Sequence, residues 1–209
     1  MTTILLTGFD PFGNDTENPS GDAVRLIAET WQGPEPLVTA VLPVTFAGAG
    51  AKLRELIAEH APDLIIATGL AGNRAALSFE RVAVNLRDAR IPDNSGDQPV
   101  DTPVVPDAAS ALFATLPVKA MTAAVAAANV PAELSLSAGT FVCNDVMFQA
   151  IDAAGHARAG FIHVPWADGQ KPAPTPTLPL ADIARGIEVA IRTALDTTDD
   201  LSVAGGTIS

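Results

Sequence analysis

Three short apolar runs each stop at a glycine or a proline: Ile4-Leu5-Leu6-Thr7-Gly8, Leu64-Ile65-Ile66-Ala67-Thr68-Gly69 and Ala159-Gly160-Phe161-Ile162-His163-Val164-Pro165. Continuous apolar runs of this length are strands buried on both faces, which occur where helices cover both sides of a parallel sheet. The segments between them carry helical spacing. A helix opens at Pro19, with Asp22 near its start and Val24, Ile27, Ala28 and Trp31 on one face. Residues 47–60 fit a helix through Leu53, Leu56 and Ile57, and 119–128 are an Ala-rich helix. Residues 143–154 form a helix through Val146, Met147, Ala150 and Ile151; the clearest helix has Ile183, Ile187, Ile191 and Leu195 at steps of four. Further strands are expected at 37–43, 78–85 and 132–136. Residues 86–117 read as irregular and 171–179 as Pro-rich. This alternation predicts an α/β sandwich with a mainly parallel sheet. One domain is expected over residues 1–196, with a flexible polar tail at 197–209.

The 209 residues suffice for one substantial core. Charged residues make up 17% of the chain and apolar ones 48%, a globular balance. The net charge of −12 argues against a nucleic-acid binder that tracks phosphates and against a polybasic membrane anchor. No basic leader precedes the first apolar run, and no stretch is long and apolar enough to span a membrane. A cytoplasmic setting is expected, where a lone thiol stays reduced.

That thiol is Cys143, the only cysteine. It can form neither an internal disulfide nor a multi-thiolate zinc site. A glycine, Gly139, precedes it, and a helix begins at or just after it, so the helix N-terminus favours thiolate. The competing reading is a small buried hydrophobe. Among the histidines, His60 and His156 suit the surface. His163 lies in an apolar strand, 20 residues after Cys143 (163 − 143), room for one helix and a returning strand. It is either a satisfied core residue or a base beside the thiol. Alternation over 78–85 puts Glu80 on one face with Val82 and Val84, so its carboxylate is at least partly buried and needs a partner. An imidazolium would serve; so would Arg74, Arg81 or Arg90. Metal-ligand spacing is lacking, and no metal or cofactor is expected. The turn Gly69-Leu70-Ala71-Gly72-Asn73-Arg74 is similar to a phosphate-binding turn but fits neither common pattern.

Several segments together resemble the pyroglutamyl peptidase I family, the pyrrolidone-carboxylate peptidases. They are Leu6 to Gly13, Asn18-Pro19-Ser20, Gly69 to Arg74, Glu80 to Asn85, Asp88 to Asn94, Ser137 to Asn144 and Gly160 to Pro165, in the family's order over about residues 4–195. The resemblance implies a three-layer α/β/α sandwich with a mainly parallel, mixed central sheet, often in homodimers or homotetramers. It implies a cysteine ω-peptidase that removes N-terminal 5-oxoproline from peptides, with Cys143 as nucleophile, His163 as base and Glu80 as its orienter. The oxyanion would be held by the Cys143 N–H and Arg90; a pairing of Arg90 with Asp88 or Asp93 is the structural alternative. Family-like positions suggest a substrate pocket from Phe9, Phe12, Asn18, Leu70, Ile91, Phe141, Val142 and Met147, although Phe141, Val142 and Met147 also suit a core. A flat uncharged lactam fits apolar walls, and a charged N-terminus would lose its hydration there.

Some positions depart from the family pattern. Leu70 stands where the family often has Gln, Asn73 where it has a second glycine, and Phe148 where it often has Tyr. The link between the helix at 143–154 and the strand at 159–164 is short. Two other functions fit parts of the sequence. A nucleoside phosphorylase-like enzyme would use Gly69–Arg74 for phosphate. A non-catalytic binding protein would keep the pocket and show slow alkylation of Cys143 at neutral pH.

Overall fold

The structure, a computed structural model, describes residues 2–206. In chain order its elements are β1 (Ile4–Phe9), α1 (Pro19–Thr30), β2 (Leu37–Leu42), α2 (Phe46–His60), β3 (Leu64–Leu70), β4 (Leu77–Glu80), β5 (Val82–Val84), β6 (Ala111–Phe113), α3 (Val118–Ala127), β7 (Ala132–Ser135), α4 (Val142–Asp152), β8 (Arg158–Val164), β9 (Trp166–Ala167), β10 (Thr177–Leu178) and α5 (Leu180–Asp196). The central sheet has the order β2-β1-β3-β8-β4-β7. Its first four strands are parallel; β4 runs antiparallel to β8, and β7 parallel to β4. Helices α1, α3 and α5 cover one face, and α2 and α4 cover the other. This is the mixed, mainly parallel α/β/α sandwich that the sequence leads one to expect.

Alternation along the strands assigns residues to the two layers. Ile4, Leu6, Leu64, Ile66, Leu77, Phe79, Ile162 and Val164 pack under α1, α3 and α5. Leu5, Phe9, Ile65, Ala67, Ala159 and Phe161 pack under α2 and α4. The same parity puts Gly69, Glu80 and His163 on the α2/α4 face. Helix α5 is held by Ile183, Ile187 and Ile191, all fully buried, with Leu195 half-buried at the end of the stripe.

Three readings need correction. Ala28 is exposed, because the buried stripe of α1 runs through Ala23, Val24 and Ile27, and Trp31 lies just past its end. The strand expected at 78–85 breaks at Arg81. There the chain leaves the main sheet, and β5 pairs with β6 instead, inside the region expected to be irregular. The cause is a polar anchor: Asn144, fully buried in α4, accepts from the Val84 N–H and donates to the carbonyls of Val84 and Leu86. Val82 and Val84 are therefore half-buried and do not share a face of the main sheet with Glu80. Short strands β9 and β10 also form around the Pro-rich segment.

Loops are fixed by caps. Asn18 caps α1 by accepting from Ser20 N–H, with Pro19 in the first turn. Asp200, within the segment expected as a tail, accepts from the N–H groups of Lys119 and Ala120 at the start of α3; the described residues end at 206. Asp93 is buried and accepts from Phe46 N–H at the start of α2, from the N–H and hydroxyl of Ser95, and from Asp97 N–H. Burial alone would raise its pKa, but these donors outweigh burial and hold it below the usual carboxylate range. An Asp93→Ala variant is expected to lose about 1–3 kcal/mol of stability at neutral pH, read by urea unfolding. The folded-state pKa is depressed, so the contribution is present above the unfolded pKa and fades as pH falls through the folded one. The gap between parent and variant should therefore narrow in acid; a gap that widens in acid would refute this role.

Candidate active site

Strands β3 and β8 end side by side, with Gly69 opposite His163 in register. Antiparallel β4 sets Glu80 opposite Phe161, two residues before His163, so Glu80 and His163 are diagonal neighbours on the α2/α4 face. His163 Nδ1 lies 2.7 Å from Glu80 Oε1. Glu80 is fully buried and His163 almost so. Glu80 Oε1 also accepts from Arg74 Nη1 at 2.7 Å, while Oε2 is buried without a hydrogen-bond partner. The two partners that stood as alternatives for Glu80 are thus both present.

Cys143 reaches this pair from above. It is the second residue of α4, which begins at Val142. The segment before it turns at Gly139, whose φ of +80° favours glycine. Its sulfur lies 2.9 Å from where a Cβ on Gly69 would stand, and the Phe161 ring lies 2.8 Å from that point. Only a glycine at 69 admits both groups, and Gly69 is His163's register partner, so the thiol and the imidazole share one small patch of sheet. No side chain caps α4, so the N–H groups of its first turn, Cys143 included, are open to a ligand.

Electrostatics oppose the pull of the helix start on the Cys143 thiol. Burial, then the Glu80 charge, push the Cys143 thiol up to about 12, with Arg74 opposing. The partial charge of a helix N-terminus does not offset that penalty. Burial also lowers the His163 pKa, although the Glu80 hydrogen bond and charge work against it. Glu80 would be raised by burial, but His163, then the Ser135 hydroxyl and the Arg74 charge, bring it below its ordinary value. At neutral pH the site therefore holds a thiol, a neutral imidazole and a carboxylate. An ionised Glu80 only accepts, so Nδ1 carries the imidazole proton and Nε2 keeps its lone pair.

The segment 88–91 lies beside the nucleophile loop: Thr140 Oγ1 donates to the Asp88 carbonyl, and Asp88 N–H to the Thr140 carbonyl. Between them is a cavity of about 480 Å³ lined by Asp88, Arg90, Ile91, Gly139, Thr140 and Phe141. Arg90 is exposed and makes no ion pair among the described residues, neither with Asp88 nor with Asp93. The Phe141 ring meets Phe12 and Phe46 edge-on at 5.5 Å and 5.2 Å. Phe9, Val142 and Met147 are buried in the apolar cluster against which Phe12, Phe141 and Cys143 pack. Leu70 is half-buried at the end of β3. Asn18 is committed elsewhere, to Ser20 and the Asp10 carbonyl. His60 and His156 lie near Glu59 and Asp63, away from the site. Sequence reasoning missed the anchor Asn144 and the buried pair in which Arg87 Nε meets Asp145 Oδ1 at 2.5 Å and Gln149 donates to Oδ2. An aspartate with a glutamine four residues on, in an apolar helix, was the available signal. The turn Gly69–Arg74 is no phosphate cradle, because the Arg74 guanidinium is taken by Glu80 and the Ser137 carbonyl.

A thiol at a helix start, lying over the register partner of a carboxylate-held imidazole on one face of an α/β/α sheet, is the equipment of a cysteine-type hydrolase. The comparisons show which peptidase family the chain is in. Residues 2–197 match the family model for pyroglutamyl peptidase, and the chain belongs to that family. It is 46% identical over 213 residues to a pyrrolidone-carboxylate peptidase of Pseudomonas fluorescens, covering both chains completely. Identity to the enzyme so named in Treponema denticola is 41%, over 98% of this chain and 99% of that one. The crystal structure of pyroglutamyl peptidase I from Bacillus amyloliquefaciens superposes with a TM-score of 0.92 at 39% identity, over 96% of this chain and 100% of that one. Pyrrolidone carboxyl peptidase from Thermococcus litoralis gives 0.93 at 36% identity, over 98% and 100%.

Proposed function

We propose that this chain removes N-terminal 5-oxoproline from peptides, with Cys143 as nucleophile, His163 as general base and acid, and Glu80 as the group that holds His163. The observation that carries the reading is the buried Glu80–His163 hydrogen bond on the sheet face where the Cys143 sulfur sits over Gly69. His163 Nε2 takes the thiol proton as sulfur attacks the carbonyl that joins oxoproline to the next residue. Charge forms only during attack, so the resting site stays neutral but for Glu80 and its Arg74 partner. The tetrahedral oxygen is held by the open Cys143 N–H and by Arg90. His163 then gives its proton to the leaving amine, a thioester remains, and water deprotonated at Nε2 hydrolyses it.

Apolar walls from Phe12, Ile91 and Phe141, backed by the buried Phe9, Val142 and Met147 and with Leu70 at the strand end, favour an uncharged lactam over an ammonium terminus. Residues 1–196 would act as one domain in a reducing cytoplasm. Assembly into a homodimer or homotetramer belongs to the same proposal through the family resemblance, and Phe113 and Leu136 lie exposed on the single chain. Fluorogenic amides of pyroglutamate, proline and glutamate provide the test. Hydrolysis of the first with little of the other two supports the reading; equal hydrolysis of the prolyl amide, or none of the pyroglutamyl amide, sinks it.

A further inference from the structure

We propose that Arg74 is a positioning residue of this site, one guanidinium that both holds Glu80 against His163 and fastens the loop leading to Cys143. The inference rests on the reading of Cys143, His163 and Glu80 given above. Arg74 lies in the turn between β3 and β4. Nη1 donates to Glu80 Oε1 at 2.7 Å, the oxygen that also faces His163 Nδ1 at 2.7 Å. Nη2 donates to the Ser137 carbonyl at 3.1 Å. Ser137 belongs to the segment that leaves β7, turns at Gly139 and enters α4 one residue before Cys143. The turn is itself tied to the strand of His163, since Ala71 N–H donates to the Val164 carbonyl and Arg74 N–H to the Ala71 carbonyl. A planar fork with two donors in fixed geometry can serve both partners at once; an ammonium is a point charge and cannot reproduce that shape.

The charged groups acting on His163 are Glu80 from β4 and Arg74 from the turn; Cys143 from α4 lies over its register partner Gly69, and its neighbour on β8, Phe161, is apolar. The Arg74 cation disfavours a second positive charge on His163 and favours a negative one on Cys143. These effects oppose each other for the transfer of a proton from sulfur to imidazole. The field of Arg74 therefore shows mainly in titrations, and its service to turnover is geometric.

The test compares Arg74→Met, which keeps the stem and removes the fork, with Arg74→Lys. His163 is titrated by its imidazole Cε1–H proton resonance, assigned by its loss in His163→Gln, without substrate. In Arg74→Met the His163 pKa is expected to rise, and the acid limb of kcat/KM to move to higher pH. Loss of turnover is expected to fall on kcat, by roughly ten- to hundredfold, with KM nearly unchanged. Arg74→Lys should return His163 toward its parent titration and recover only part of kcat. An Arg74→Met protein with the parent's His163 titration and kcat, or with its defect confined to KM, overturns the proposal. Should Arg74→Met fail to fold, Arg74→Leu gives the same comparison, because it removes both the donors and the charge. The titration needs no turnover, so an inactive parent would sink the peptidase reading alone, whereas an unmoved titration sinks this one.

Discussion

A Cys143→Ala variant is expected to fold, to bind pyroglutamyl amides and to lose their hydrolysis, with kcat/KM down by about 10⁴-fold or more. Alanine keeps the backbone of α4, and therefore the open N–H groups at its start. The sulfur is only partly buried, at the edge of the cluster that contains Phe161, so its removal leaves a small gap at a rim and not a hole in the core. Stability should change by about 1 kcal/mol or less, read by thermal unfolding. Cys143→Ser should fare little better than alanine, because a hydroxyl is a weaker nucleophile and His163, with its lowered pKa, is a weak base for it. Turnover in the alanine variant above about a hundredth of the parent's would remove Cys143 from the chemistry and overturn the nucleophile assignment. In the parent, activity is expected to fall in acid as His163 takes a proton. That fall should come below the ordinary imidazole range, since burial lowers the His163 pKa.

The layers of the fold were legible because buried parallel strands and amphipathic helices leave different periods in a sequence. β1, β3 and β8 are continuous apolar runs, and α5 keeps its isoleucines four apart. Glu80 is instructive because its burial was inferred from the wrong neighbours. Val82 and Val84 belong to another sheet; Glu80 is buried because it is the last residue of β4, between β8 and β7. The break at Arg81 has no local signal. The strand beyond it is held through Val84 by Asn144, 60 residues from Val84 along the chain, and a propensity cannot register a partner at that distance.

Cys143 shows a second kind of limit. Its place at a helix start can be read from the sequence, and a helix start favours an anion. That desolvation within the site and then the Glu80 charge both act on the thiol are three-dimensional facts, and they reverse the sign. Arg74 has the same character. It was one of three arginines able to pair with Glu80, and only the turn tied to Val164 selects it. Arg90 remains without an ion pair among the described residues, beside the cavity at Phe141.

Glu80→Gln should separate charge from geometry in this cluster. The carboxamide oxygen can take the place of Oε1 and still accept from His163 Nδ1 and Arg74, so the imidazole keeps its tautomer. The amide nitrogen then falls where Oε2 lies buried without a partner, a donor left unsatisfied at a cost of about 1–3 kcal/mol in stability. The negative charge is lost as well. The imidazolium that forms as Cys143 gives up its proton then faces the Arg74 cation with no carboxylate between them. A fall in kcat of roughly 10²- to 10⁴-fold is expected, with KM little changed. Glu80 raises the titrations of both His163 and Cys143, so both should move to lower pH in the variant, opposite in sign to the change expected on removing Arg74. The pH–rate profile and the His163 resonance measure this directly. A variant whose His163 titration moves upward, or whose kcat stays within about threefold of the parent's, would show that Glu80 fills space and does not stabilise the imidazolium.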